Sequence, residues 1–386
     1  MRRIVHLLLV AHCAVPAVGD AQAVDHMAAA RRVLATTPLI DGHNDLPIAV
    51  HESEAAPGDV AAPAHDLRTR TPFHTDIERL RTGMVGGQFW SVYIPYEAVE
   101  EGAAKRQLEQ IDIALQIIER YPDVLGLALD ASDVERVFAS GRIASMLGME
   151  GGHAIENSLG ALRAYYALGV RYMTLTHNGT LDWADAASDE RRHGGLTEFG
   201  KEVVREMNRL GMLVDLAHTS PETMNDALDV AEAPVIWSHA GARGITEHTR
   251  NVPDQVLRRL PDNGGVVMVV FYPPFISARD EATLSDVADH IEHVASLAGA
   301  DHVGIGSDFD GIDVVARGLE DVSTFPALFA ELSRRGWSEG DLRKLAGENV
   351  LRVMREAEAV ARRLRRERPA STRTIEELDG SPGGAP

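Results

Sequence analysis

Polar residues able to bind a cation or carry a proton stand at the ends of short apolar runs in this chain. His43 and Asp45 follow PLID, Glu150 follows IASMLGM, His177 follows VRYMTLT, His218 follows MLVDLA, His239 follows PVIWS and Asp308 follows HVGIGS. Each run is rich in Val, Ile, Leu, Met or Ala, the pattern of a buried strand. Imidazoles and carboxylates at so many strand ends point to metal-assisted hydrolysis. In extended backbone His43 and Asp45, two residues apart, face the same side and can reach one point. Glu150 has two oxygens and can bridge two cations, and the two glycines behind it permit a tight turn. His218 and His239 end successive runs. Neutral imidazole suits zinc, and its other ring nitrogen needs an acceptor, for which Asp215 is one candidate. His177 and Asp308 complete the set as ligands or proton carriers, roles that the residues alone do not separate. His153 and Asp310 compete with Glu150 and Asp308 but lie further past their runs. Arg250, in TRNVPD, is suited to bidentate pairing with a carboxylate. The chain has one cysteine, Cys13, so the ligands must be His, Asp and Glu. Ser220 and Ser238 lack an evident activating partner and read as supporting or packing residues.

The elements that must position these groups alternate. Strands are expected at 38–42, 87–94, 143–149, 170–176, 211–217, 235–238, 266–271 and 303–307. Helices are expected at 103–120, 156–168, 197–210, 221–231, 253–261, 283–299 and 321–335, several opened by capping residues such as Thr197 and Ser220-Pro221-Glu222. Such alternation implies parallel strands with right-handed crossovers. An open doubly wound sheet gathers its ligand at one switch point, whereas these polar residues end many different strands. A closed (β/α)8 TIM barrel brings all those ends around one centre. The stretch from Val50 to Thr82 reads as an irregular insertion with a short helix near 75–82.

Net charge is −20 over 386 residues. So acidic a chain is a poor partner for nucleic acid, and no phosphate-cradling or dinucleotide motif is present. Residues 1–24 have a basic start, an apolar stretch and small residues near Ala17 to Ala23, the pattern of a secretory signal peptide, with a frayed N-terminal helix as the plainer reading. Export to the periplasm or the exterior is expected on the first reading and a cytoplasmic location on the second. Membrane association would require lipidation of the N-terminus, and His12 disfavours Cys13 for that. Residues 25–368 read as a single catalytic domain. Ser338 to Arg368 is helical in pattern with a charged, solvated face, and 369–386 reads as a loose, flexible tail.

At these residues the chain resembles the membrane dipeptidase (renal dipeptidase) family of amidohydrolase-like barrels, in its bacterial form, over about 33–355. The resemblance rests on LIDGHNDLP, GGQFWSVY, GMEGGHAI, RYMTLTHN, LVDLAHTS, WSHAGAR, TRNVPD, GIGSDFDG and GLEDVSTFP, in that order. It implies a dipeptidase with two Zn2+ ions: His43 and Asp45 on one, His218 and His239 on the other, Glu150 between them. It implies His177 beside the scissile carbonyl, Arg250 on the substrate's terminal carboxylate and Asp308 as the acid/base residue. A small dipeptide substrate, tolerance of a D residue on its C-terminal side and a homodimer are further implications. Two cations held close together share and acidify a water, whose attack on the peptide carbonyl needs no Ser or Cys nucleophile. Trp90, Tyr93 and Tyr96 after strand 2, and Tyr272 after strand 7, are expected to line the substrate pocket. A lactonase or N-acyl-amino-acid hydrolase on the same barrel would keep the metals without needing Arg250. A non-enzymatic binding protein would tolerate loss of a ligand or of Asp308, and none is missing.

Overall fold

Apolar runs too short for helices pair side by side in the computed structural model, which describes residues 25–100, 102–279 and 281–380. We number the barrel strands β1 (Leu39–Asn44), β2 (Val85–Ser91), β3 (Ile143–Glu150), β4 (Val170–Thr174), β5 (Leu213–Asp215), β6 (Ile236–Ala240), β7 (Val266–Val269) and β8 (Val303–Ile305). Each pairs in parallel with the next in the chain, and Asp41 of β1 opposite Ile305 of β8 closes the ring. The strands are buried on both faces, which is why their sequences read as continuous apolar runs rather than alternating ones. The expected TIM barrel is therefore the fold.

Several elements stand outside the expected set, among them the helices His26–Thr36 and Leu46–His51. A short strand, Leu125–Leu127, pairs with the start of β3, and the helix Ala131–Ala139 follows it. Three residues are too few to show a periodicity. The helix expected at 253–261 is instead two short ones, Asp254–Leu257 and Leu260–Asn263, with Pro261 in the first turn of the second. Proline has no N–H with which to continue a helix through that point.

The barrel interior is filled by Ile40, Phe89, Met146, Tyr172 and Met268. The same cluster extends to Val350, Val353, Met354 and Ala357 of the helix Asn349–Glu367. That helix keeps its charged face outward, as expected, but its apolar stripe packs against the strand starts. The strand ends opposite are thereby left as the open mouth. Within the interior, Gly148 of β3 leaves the space that the Tyr172 ring occupies, and a Cβ there would overlap the ring. A Gly148→Ala variant is expected to lose about 1–3 kcal/mol of stability from overpacking, measured as a lower urea midpoint.

The segment expected as a loose tail is built against the barrel as far as it is described. Thr374 and Glu377 form a capping box on the helix Ile375–Asp379, and Ile375 is buried. The Asp379 carboxylate accepts from the Thr197 hydroxyl at 2.6 Å and the Phe199 amide at 3.2 Å, at the start of the helix Glu198–Leu210. A polar segment was sufficient here because it satisfies helix-end donors, which a reading of apolar periodicity does not register. Residues 1–24, where the signal peptide is expected, lie outside the described residues, as do 381–386. Among the described residues no helix is long and apolar enough to cross a membrane.

Candidate active site

Glu150 is the last residue of β3, and its two carboxylate oxygens point at different partners. Oε1 lies 2.9 Å from His218 Nε2 and 3.3 Å from His239 Nε2. Oε2 lies 3.4 Å from His43 Nε2, which is itself 3.3 Å from Asp45 Oδ2. Donor atoms of His43, Asp45 and Glu150 therefore form one set, and those of Glu150, His218 and His239 a second, each within 4.8 Å. Asp308 offers an oxygen within the same span of His43 and His239. All lie at or just past the C-terminal ends of strands, where the sequence pattern places them. His218 and Asp308 adopt left-handed backbone, φ 66° and 69°, uncommon for residues with a side chain and concentrated at functional sites.

Hydrogen bonds decide what these imidazoles can hold. The Ser238 hydroxyl donates to Asp215 at 2.5 Å, so its oxygen accepts from His239 Nδ1 at 2.9 Å. His218 Nδ1 faces the Asn178 amide oxygen at 3.3 Å. His43 Nδ1 is 2.8 Å from the Tyr172 hydroxyl, which also lies 3.2 Å from the carbonyl of Gly42. Each Nδ1 faces an oxygen able to accept its ring proton, an arrangement that leaves each Nε2 to present a lone pair to a cation. Two such nitrogens, of His218 and His239, sit 2.9 Å apart beside a carboxylate oxygen. His43 Nε2 and Asp45 Oδ1 are buried with no hydrogen-bond partner. Converging buried acceptors repel one another unless a cation lies among them. Donors around a tetrahedral ion bound at about 2.0–2.1 Å are roughly 3.3–3.4 Å apart, close to the spacings here. With no thiolate and with imidazole and carboxylate donors, the residues fit two zinc ions bridged by Glu150.

Burial sets the charges around this centre. It pushes His177 down to about 4 and His239 down to about 3, and it holds His218 well below its usual range, with Arg250 adding to the effect. At Asp308 burial dominates, Asp45 and Glu150 add to it, and the carboxyl is pushed well above its ordinary value. The fully buried Arg250 guanidinium is pushed down to about 10 by desolvation and remains a cation.

The site opens into a cavity of about 420 Å3, lined on one side by Ile48, Ala49 and Tyr93 and on the other by His248, Tyr272 and Phe275. His177, Arg250 and Asp308 face it. Arg250 lies beneath the Phe275 ring, and its buried Nε has no hydrogen-bond partner. Tyr272 lines the wall as expected and its hydroxyl donates to Asp313 at 3.1 Å.

Trp90 is not part of the site. Its side chain is buried in the layer between barrel and helices, while its neighbour Phe89 points into the barrel. Strand alternation sends adjacent residues to opposite faces, so the one aromatic excludes the other from the interior. Tyr93 takes the wall position, its ring 4.8 Å from that of His177. Tyr96 packs beside Gly179 and donates to Thr180. His153 turns away from the ligand sets and donates through Nε2 to the Ile94 carbonyl. Asp310 accepts from the His74 amide at 2.5 Å, bracing the loop that carries Asp308. Among the supporting groups, Asp215 and Ser238 were legible as neighbours of ligands. Tyr172 carried no such signal, because it acts across the barrel.

The family described as "Membrane dipeptidase (Peptidase family M19)" matches residues 27–368. Dipeptidase verJ of Clonostachys rogersoniana is 46% identical over 357 residues, 88% of this chain and 89% of that protein. The probable dipeptidase PvdM from Pseudomonas aeruginosa superposes with a TM-score of 0.79 over 87% of this chain and 99% of its own; at 23% identity this likeness concerns the fold. A metallo peptidase from Rhodobacter sphaeroides, liganded with a phosphinate mimic of the dipeptide L-Ala-D-Ala, is 26% identical with a TM-score of 0.73, covering 83% of this chain and 99% of its own.

Proposed function

The chain belongs to the membrane dipeptidase family, peptidase family M19, and from that premise we propose that it hydrolyses dipeptides bearing a free C-terminal carboxylate, with a D residue accepted on that side. His43, Asp45 and Glu150 would hold one zinc ion, and Glu150, His218 and His239 the other. When bound, the pair supplies the charge that acidifies a water and polarises the scissile carbonyl. The chain's own groups do the remainder. Asp308 accepts the proton released by the attacking water and returns it to the amide nitrogen, a poor leaving group until protonated. Neutral His177 donates an N–H toward the oxygen on which negative charge develops. Arg250 receives the terminal carboxylate, and the Tyr93 and Tyr272 walls confine a small substrate.

The observation that carries this reading is Arg250: a buried guanidinium with no carboxylate partner among the described residues, its Nη2 3.1 Å from His239 Nε2 and its Nε unpartnered, in the cavity that also holds the converging metal ligands. A buried cation without its anion is costly, and a substrate carboxylate relieves that cost. Acceptance of a D residue is supported by the phosphinate mimic of L-Ala-D-Ala bound to the Rhodobacter sphaeroides protein. The test is to assay zinc-loaded protein against L-Ala-L-Ala, L-Ala-D-Ala and the C-terminal amide of each. Amidation is expected to lower kcat/KM by at least about 30-fold, the lower end of the cost of leaving a buried charge unpaired. Amides turned over as fast as acids would remove Arg250 from carboxylate recognition and overturn this reading.

A further inference from the structure

Tyr172 carries a hydroxyl into the apolar cluster of the barrel interior. Its ring lies against Phe89 at 5.1 Å and over Gly148. Phenylalanine would fill this space equally well, and a buried hydroxyl costs free energy unless it is bonded. Here the hydroxyl is bonded twice, and the partners fix its direction. The Gly42 carbonyl can only accept, so the phenol donates there, at 3.2 Å. Its oxygen is then free to accept, and His43 Nδ1 lies 2.8 Å away. The proton is thereby kept on Nδ1, and Nε2 presents its lone pair to Asp45 Oδ2 and Glu150 Oε2.

The other two ligand imidazoles are held by residues near them in the mouth: His239 by Ser238, backed by Asp215, and His218 by Asn178. His43 alone is held from a strand that is not its neighbour. We propose that Tyr172 is a positioning residue that selects the Nδ1–H tautomer and ring orientation of His43, and so sets the affinity of the His43–Asp45 zinc position without touching the substrate. Gly148 belongs to the same device, since it gives the ring its path across the barrel.

The inference rests on the ligand assignment proposed above, and metal titration separates the two. Wild type, Tyr172→Phe, His43→Ala and the double variant would each be titrated with Zn2+ against a competing chelator. Circular dichroism of the metal-free forms would check folding. Wild type should bind two equivalents; fewer would overturn the ligand assignment itself. Tyr172→Phe should keep one equivalent at wild-type affinity and bind the other 10- to 100-fold more weakly, the range for loss of an outer hydrogen-bond partner. In the His43→Ala background, Tyr172→Phe should change nothing further in metal binding, because the group through which it acts is gone. Tyr172→Phe binding both equivalents like wild type, or weakening the remaining equivalent in the His43→Ala background, would overturn the proposal.

Discussion

Asp308→Asn is expected to bind its full complement of zinc and yet to hydrolyse dipeptides 10²- to 10⁴-fold more slowly, the range for loss of a positioned general acid/base. The substitution is nearly isosteric. Asp308 has left-handed backbone at φ 69°, a conformation that asparagine tolerates better than most residues, so the loop should survive. What disappears is the capacity to take a proton and return it. The fall should be in kcat, with metal stoichiometry unchanged by elemental analysis. Near-wild-type turnover would remove Asp308 from the mechanism and turn attention to Asp310, whose carboxylate also borders the cavity.

Glu150→Gln is expected to leave at most one tightly bound zinc and to reduce activity by more than the 10- to 100-fold that loss of an outer partner costs. Both oxygens of Glu150 are committed, one at 2.9 and 3.3 Å from His218 and His239 and the other at 3.4 Å from His43. Glutamine supplies one oxygen and replaces the other with a donor, which will bond to an imidazole lone pair rather than share a cation with it. Metal content per chain is the primary readout. Two equivalents bound as tightly as in wild type would show that the centre does not depend on a bridging carboxylate.

The two variants probe different parts of the same geometry. One leaves the cations in place and removes the proton carrier, and the other keeps the proton carrier and separates the cations. Their metal contents should therefore differ even where their activities are similarly low.

The chemistry was legible in the chain because barrels place functional groups at strand ends, and a strand end can be read locally. His43, Asp45, Glu150, His218 and His239 follow their apolar runs in the sequence and meet at one mouth in the structure. The expected strands also form, since burial on both faces makes each a continuous apolar run. Trp90 was misplaced because its role depends on which face of β2 turns inward, and an unbroken apolar run does not reveal that.

Residue types, their order and the alternation of elements were enough to establish a metal-dependent hydrolase on a closed parallel barrel. All of these are properties of short segments: side-chain chemistry, period and length. The contacts made across the ring were decided by the tertiary structure alone. It divided the oxygens of Glu150 between two ligand sets, buried the Arg250 guanidinium with its Nε unpartnered, and brought Tyr172 of β4 to His43 of β1. These contacts join distant parts of the chain, Tyr172 and His43 being 129 positions apart. Their geometry follows from how the whole sheet closes and packs, which no local pattern encodes.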